Sequence, residues 1–152
     1  MSAMIRLLAA ALALAFALVA PASAAPSLAG TWRTISDVDG KPRGLIRIVQ
    51  SGETHTGIAA GTLVPGESMD GVCVKCKGER ANQKVLGMTV LWGLKADAKD
   101  PLTFTGGQVL DPDSGNIYSA RIKLAPDGKK LTLRGYIGNP LLGRSQTWER
   151  AD

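Results

Sequence analysis

The chain has 152 residues, a net charge of +5 and an isoelectric point near 9.5. Its lysines and arginines are scattered along the sequence, and aromatic residues make up only 5% of it. Nucleic-acid surfaces usually carry a clustered basic stripe, so this composition argues against a nucleic-acid partner and leaves only weak attraction to anionic surfaces. The length suits one domain with its own hydrophobic core.

Residues 1–24 have the three-part layout of a secretory signal peptide. Arg6 supplies a positive charge, residues 7–20 form an apolar run, and a small-x-small cleavage pattern ends at Ala24. The apolar run is shorter than the about 20 residues of a membrane-spanning helix. We therefore predict cleavage after Ala24, a periplasmic or extracellular protein, and no transmembrane segment in the mature protein. An uncleaved membrane anchor is the alternative.

The remaining residues, 25–152, are predicted to form a single all-β domain. Short runs with alternating polarity or β-branched residues predict strands at 30–35, 45–49, 54–64, 88–92, 102–110, 117–124, 131–136 and 145–150. Most connections contain tight-turn sequences rich in Asp, Pro and Gly. Because sequential hairpins dominate, we predict an antiparallel up-and-down barrel of about eight strands, which removes exposed edges by closure. A β-sandwich is the alternative.

The two ends of this domain resemble the calycin or lipocalin-like pattern. The first strand begins with Gly30-x-Trp32, and the last strand carries an arginine. In that superfamily the arginine stacks across the tryptophan and closes one end of the barrel by a cation–π contact. The resemblance implies that Trp32 and Arg150 form this closure, with Trp148 on the same strand face and Arg144 as the less favoured arginine.

A closer resemblance covers residues 30–150. Its motifs are Gly30-Thr31-Trp32-Arg33, Cys76-Lys77-Gly78, Leu86-Gly87-Met88, Leu110-Asp111-Pro112, Arg134-Gly135-Tyr136-Ile137-Gly138 and Leu142-Gly143-Arg144-x-Gln146-Thr147-Trp148-x-Arg150. They are similar to a family of small exported bacterial proteins classed as a domain of unknown function with a lipocalin-like barrel. The resemblance implies a barrel that binds a small molecule, and it supplies no catalytic residue and no cofactor.

The two cysteines, Cys73 and Cys76, lie in the longest stretch without strand character, residues 70–83. In an exported protein two cysteines usually pair, so we predict a structural disulfide that pins this connection. A thiol–disulfide enzyme is less favoured because redox pairs usually lie at a helix N-terminus in a βαβ unit. Structural zinc needs four ligands, and the single histidine, His55, lies far away in sequence and is expected to be exposed; we predict no metal.

Five side chains are candidates for contact with a ligand. Met88 and Trp92 alternate onto one face of their strand with Val90, and Arg134 and Tyr136 share a face of theirs. Tyr118 lies on an apolar strand face. Since buried arginines need partners, Arg134 could bind an anionic group. The simpler interpretation is that these residues belong to the core or to the barrel closure.

No known catalytic motif is present in the sequence. The leading hypothesis is therefore a non-enzymatic exported barrel that binds a small apolar or amphipathic molecule, since eight-stranded barrels can hold one small ligand. The alternative is a structural or interaction protein of the cell envelope with a packed barrel. The volume of the barrel interior distinguishes the two hypotheses.

Overall fold

The structure is a computed structural model and describes residues 24–152. The predicted signal peptide lies outside the described residues except for Ala24. Within residues 24–152 there are eight strands: β1 (Gly30–Ile35), β2 (Pro42–Ser51), β3 (Thr54–Thr62), β4 (Thr89–Ala96), β5 (Thr103–Asp111), β6 (Asn116–Leu124), β7 (Lys130–Tyr136) and β8 (Arg144–Arg150). No helix in this part of the chain has the length and apolar character needed to cross a membrane.

The eight strands form one closed antiparallel barrel in chain order. Each strand pairs with its neighbours in sequence, and the pairing of β1 with β8 closes the barrel through Trp32 opposite Arg150 and Thr34 opposite Trp148. Closure pairs both edges of every described strand, which removes the exposed edges of an open sheet. The prediction of an eight-stranded up-and-down barrel is confirmed, and the β-sandwich alternative is wrong.

The connections divide the barrel into two ends. The β1–β2, β3–β4, β5–β6 and β7–β8 loops lie at one end, called here the open end, and span residues 36–41, 63–88, 112–115 and 137–143. The opposite, closed end carries the three short remaining hairpin loops and both chain termini of the domain, residues 24–29 and 151–152. This division places the long cysteine-containing connection at the open end.

The barrel near the closed end is filled by a packed core. The buried side chains there are Leu28, Trp32, Ile48, Leu91, Leu94, Phe104, Ala120, Ile122, Leu124, Leu131, Leu133 and Trp148. Side chains of a strand alternate between its two faces, so the predicted apolar face of β6 contributes three of these residues while Arg121 and Lys123 are exposed. The core anchors one half of the barrel and leaves the other half for a site.

A tryptophan and an arginine seal the closed end. The guanidinium carbon of Arg150 lies 4.3 Å from the centre of the Trp32 ring, and Trp32 Nε1 donates a hydrogen bond of 3.0 Å to the carbonyl oxygen of Leu28. Arg150 also donates to the carbonyl oxygens of Ser27, Ala29 and Gly128. One side chain thus joins the segment before β1, the β6–β7 turn and the last strand.

Close approach of a neighbouring side chain explains why the Gly-x-Trp motif begins with a glycine. Gly30 has φ of +141°, and a Cβ at this position would lie 2.2 Å from Nη1 of Arg150. Trp148, which we expected beside this closure, lies two residues nearer the open end and is buried in the core, with Nε1 donating to Gln146 Oε1 at 3.3 Å. Arg144 begins β8 at the open end, so it takes no part in the closure.

The β3–β4 connection is held by its two cysteines. Cys73 and Cys76 form a disulfide with an S–S distance of 2.00 Å, and both are buried. They pack against Ala59, Met88, Val90 and Leu110, with Val85 and Trp92 at the edge of the cluster. The predicted pairing of the cysteines is confirmed, and the bond fixes the connection against the barrel wall beside the open end.

Candidate ligand site at the open end

A cavity of about 990 Å³ occupies the open half of the barrel. All eight strands contribute to its walls, but β4 and β6 contribute one residue each, Val90 and Tyr118. Loop residues such as Val38 and Met69 surround its entrance. Ligand pockets commonly measure about 300–1,000 Å³, so the interior is large enough for one small molecule.

Small residues on the inner wall explain why this half is hollow. Gly44, Ala59 and Gly135 line the cavity. A Cβ at Gly135 would lie 3.6 Å from Tyr118 Cβ and 3.7 Å from Val109 Cγ1, which is ordinary contact. A larger side chain could therefore extend into the cavity from this position, and the glycine keeps that space open.

Glycines deeper in the barrel have the opposite role. A Cβ at Gly57 would lie 2.8 Å from Leu91 Cβ, and one at Gly107 would lie 2.5 Å from Leu94 Cγ. Here leucine side chains occupy the space that the glycines leave, because an interior at normal packing density has no room for both. The barrel is thus filled at mid-height and empty above it.

The floor of the cavity is apolar, and its upper wall carries several polar and charged side chains, among them Arg43, Glu67 and Asp111. Ile46, Leu133 and Trp148 belong both to the core and to the cavity lining. Above them, the half-buried side chains of Tyr118 and Gln146 also line the cavity. Small-molecule sites usually combine an apolar lining with placed polar groups, and here the polar groups lie towards the entrance.

An ion pair lies at one side of the entrance, where β1 and β8 are neighbours. Arg144 at the start of β8 donates through Nε and Nη2 to both carboxylate oxygens of Asp37 in the β1–β2 loop, with an Nη2–Oδ1 distance of 2.8 Å. The hydrogen bond from Arg144 lowers the pKa of Asp37 and outweighs the opposing effect of desolvation. Both groups are therefore charged at neutral pH, and the bidentate pair ties two loops together at the rim.

Of the five predicted ligand contacts, only Tyr118 lines the cavity. Met88 is buried below the entrance in the cluster around the disulfide. Arg134 and Tyr136 were expected to contact a ligand, and the structure places them outside the cavity. They alternate along β7 with Leu133 and Gly135, which face inward, so the register directs both to the outer surface.

Trp92 also lies outside the cavity, in contrast to the expectation. The pairing of β3 with β4 shifts between Gly57 opposite Leu91 and Ile58 opposite Thr89, and such a bulge interrupts simple alternation. Leu91 is fully buried as a result. The Trp92 ring lies 4.5 Å from the guanidinium carbon of Arg80, so it packs against the cysteine-containing connection.

His55 is buried rather than exposed as expected. Its side chain is 5% accessible, its ring packs edge-on against Phe104 with centroids 5.0 Å apart, and Nδ1 has no hydrogen-bond partner in the described part of the chain. Desolvation lowers the pKa of His55, opposed by a backbone hydrogen bond with Leu94. The residue belongs to the core and does not line the cavity.

The rim pair and Gln146 were not among the predicted site residues. Asp37 lies in one of the Asp- and Gly-rich connections that the sequence predicts as turns, and Arg144 was only a second candidate for the closure. The signal for Gln146 was present, because it lies two residues before the buried Trp148 on β8 and therefore shares its inward face. The Asp37–Arg144 contact joins residues at opposite ends of the sequence, and only closure of the barrel brings them together.

The sequence over residues 30–150 matches the bacterial family described as "Uncharacterized protein conserved in bacteria (DUF2147)". The chain belongs to this family. The match covers the whole barrel from the first residue of β1 to the last residue of β8. It confirms the family resemblance that the sequence motifs indicated. No curated protein matches the sequence.

A solved structure has the same fold. It is described as "Protein HP1028 from the human pathogen Helicobacter pylori belongs to the lipocalin family", and it superposes with a TM-score of 0.72 over 84% of each chain. The two sequences are only 17% identical. The similarity therefore establishes a lipocalin-like barrel for this family member and nothing about a shared ligand.

Proposed function

We propose that this family member is an exported protein that binds one small apolar or amphipathic molecule in the open half of its barrel. The observation that carries the proposal is the cavity of about 990 Å³, which lies between the strands, opens at the loop end and is closed below by the core. An envelope protein with a packed barrel would have no use for such a space. The role proposed is binding without catalysis.

The arrangement of the lining suggests how a ligand would lie. The apolar part would contact the floor formed by Ile46, Leu133 and Trp148, since burial of apolar surface gains about 25 cal/mol per Å². A polar end would lie at the height of Tyr118 and the Asp37–Arg144 pair. The pair offers both an acceptor and a donor to a ligand at the rim.

Native mass spectrometry of protein purified from its natural host tests this proposal. We expect a second species, heavier than the protein alone by the mass of one small molecule, that dissociates on collisional activation. Extraction with organic solvent should remove the added mass and return it as a free lipid or other amphiphile. Protein that carries no added mass and takes up no member of a host lipid extract would contradict ligand binding.

The export step is part of the same proposal. Removal of residues 1–24 would leave Ala25 just ahead of the segment that Arg150 holds against the closed end. We expect the intact mass of the exported protein to correspond to a chain that begins at Ala25. Retention of residues 1–24 on protein recovered from the membrane fraction would contradict it and favour an anchor.

A further inference from the structure

Exposed apolar side chains are concentrated around the entrance of the cavity. Within residues 24–152, the large apolar residues with exposed side chains on or beside the open-end loops are Val38, Met69, Val72, Val74, Leu86, Ile117, Ile137, Leu141 and Leu142. Val49, on β2 towards the closed end, is the exception. Concentrations of this kind mark interaction surfaces in monomeric proteins. We call this set the apolar rim.

The most exposed pair in the rim stands on a rigid turn. Leu141 and Leu142 are 83% and 82% accessible and belong to a 3-10 turn over Pro140–Leu142. Asn139 Oδ1 accepts a hydrogen bond from the Leu141 backbone N–H at 2.9 Å. The turn therefore fixes two leucines in water, where they gain nothing for the fold of the free protein.

An arginine on the outer face of β7 holds the same turn. The guanidinium of Arg134 donates to the carbonyl oxygens of Pro140 and Leu141 and to Ser145 Oγ at 2.9 Å. A charged donor with several backbone acceptors makes strong, oriented hydrogen bonds. This explains Arg134 without a ligand contact, and it indicates that the position of the two leucines is defined by the structure.

The apolar rim continues into the cavity. Val38, Met69, Val72 and Leu86 are exposed and also line the cavity wall. An apolar path thus leads from the loop tips to the floor of the barrel. A molecule that enters along it would stay in contact with apolar surface.

Unpaired basic residues lie beside the rim. Lys75 and Lys77 flank Cys76 close to the exposed Val74, and both are exposed without an ion-pair partner in the described residues. Lys84, in the same connection, is by contrast paired with Asp70. The free lysines complement a surface of negative charge, because basic residues beside a membrane are attracted to anionic headgroups.

We propose that the apolar rim docks this protein, open end first, onto the surface of a phospholipid bilayer that contains anionic lipids. The rim side chains come from three separate loops and from the start of β6 around an opening, with the charged Asp37–Arg144 pair among them. A second copy of the chain would need a continuous matching surface, whereas the bilayer interface adapts to separate projecting side chains. Docking in this orientation opens the cavity towards the acyl chains.

The consequence for the ligand rests on the proposed function, whereas docking itself does not. If the cavity holds an apolar or amphipathic molecule, the docked orientation lets that molecule pass between bilayer and barrel without crossing water. The ligand class is then a membrane lipid or another molecule dissolved in the bilayer. Docking and cavity binding can be measured separately on the same protein.

Flotation with phospholipid vesicles tests the proposal. The mature protein is mixed with vesicles of phosphatidylcholine alone or of phosphatidylcholine and phosphatidylglycerol in equal amounts. We expect it to float with the mixed vesicles, and Leu141→Ser combined with Leu142→Ser to weaken this partition about tenfold or more, since two apolar side chains no longer enter the interface. Lys75→Gln with Lys77→Gln should weaken partition to the anionic vesicles only, by about tenfold at low salt.

Val49→Ser is the matched control because it removes the exposed apolar side chain far from the open end. It should float like the wild type, and all variants should keep the wild-type melting temperature since the changed side chains are exposed. Absence of vesicle binding by the wild type, or equal binding by the double leucine variant, would overturn the proposal. A dimer in light scattering that only the leucine variant loses, without flotation, would assign the rim to a second copy instead.

Flotation tests docking, and binding of a probe in solution tests the proposed ligand site. Val109→Trp narrows the cavity at a wall residue and should float like the wild type while losing affinity for an apolar probe in solution. Normal flotation with no probe binding by the wild type would disprove the proposed function and leave docking standing. Probe binding without flotation would disprove docking alone.

Discussion

At the scale of single residues, the closed end could be predicted and the open end could not. Gly30-x-Trp32 and Arg150 together predict the contact that closes the barrel. The structure adds the reason for glycine at position 30, because a Cβ there would collide with the Arg150 guanidinium. Buried Trp32 is therefore expected to carry much of the stability of this end. The rim residues Asp37 and Arg144 have no local pattern that distinguishes them from turn residues.

Replacement of Trp32 by alanine tests the closure. We expect Trp32→Ala to lower the free energy of unfolding by about 3–5 kcal/mol, the usual range for a large buried aromatic residue. Arg150→Ala should cost less because its side chain stays partly exposed. Urea denaturation of the two variants gives both values. If Trp32→Ala leaves the midpoint unchanged, the closure does not stabilise the barrel.

Asp100, at the closed end, makes the stability of the fold depend on pH in the acid range. Its carboxylate accepts hydrogen bonds from Lys123 Nζ and, at 2.6 Å, from Thr103 Oγ1, and these lower its pKa from 3.8 to about 2. A depressed pKa in the folded state means that ionised Asp100 stabilises the fold. This contribution is complete above the unfolded pKa of 3.8 and is lost as the pH falls towards 2.

The carboxyl chemical shift of Asp100 measures this directly. In the wild type we expect a titration midpoint near 2, and in Lys123→Gln a midpoint moved up towards 3.8. Lys123→Gln should also lose less stability than the wild type as the pH falls below 3.8, because a smaller difference remains between the folded and unfolded pKa of Asp100. A wild-type midpoint at 3.8 would show that the contact with Lys123 does not persist in solution.

At the scale of elements, the strands could be predicted because the turns between them have recognisable sequences. Sequences dense in Asp, Pro and Gly specify hairpins, and alternation identifies the inward face of β6. The same reasoning failed for β4, where the pairing shifts between Gly57 opposite Leu91 and Ile58 opposite Thr89 and Trp92 is directed outward. His55 shares the buried face of β3 with Gly57 and Ala59, so alternation along β3 was the signal for its burial. Bulges arise from the geometry of two paired strands, which a single strand sequence does not reveal.

The disulfide is expected to stabilise one connection rather than to exchange with other thiols. Closing so short a loop is worth about 2 kcal/mol or less in the chain-entropy estimate. Both sulfurs are buried in the cluster beneath the β3–β4 connection. We therefore expect Cys73→Ser with Cys76→Ser to keep the fold and lose no more than about this amount.

Urea denaturation and thiol exchange with a reduced model protein check this expectation. Exchange by the wild type should be slow. Rapid exchange that disappears in Cys73→Ser, together with an oxidising potential well above the about −300 mV of structural disulfides, would contradict the structural role and favour a thiol–disulfide enzyme.

At the scale of the whole molecule, the barrel was predictable and its cavity was not. Eight strands can enclose either a packed core or a ligand space, and the difference depends on which small residues face inward at the same height. Gly44 and Ala59 lie on the neighbouring strands β2 and β3, and Gly135 lies on β7, far from both in sequence. Their common contribution becomes visible only when closure and register bring them to the wall of one cavity.

Binding of a neutral apolar probe to ligand-stripped protein tests the central claim most directly. N-phenylnaphthylamine fluorescence is titrated with the wild type, with Val109→Trp inside the cavity and with Val49→Trp on the outer wall. Both variants replace a valine by a tryptophan. Only the first takes up space in the cavity.

We expect saturable binding at one site in the wild type and in Val49→Trp, and an affinity at least about tenfold lower in Val109→Trp, a loss of about 1.4 kcal/mol. Equal melting temperatures of the three proteins would exclude unfolding as the cause of a lower affinity. Equal affinity in all three proteins, or no saturable binding by the stripped wild type, would contradict a ligand site inside the barrel.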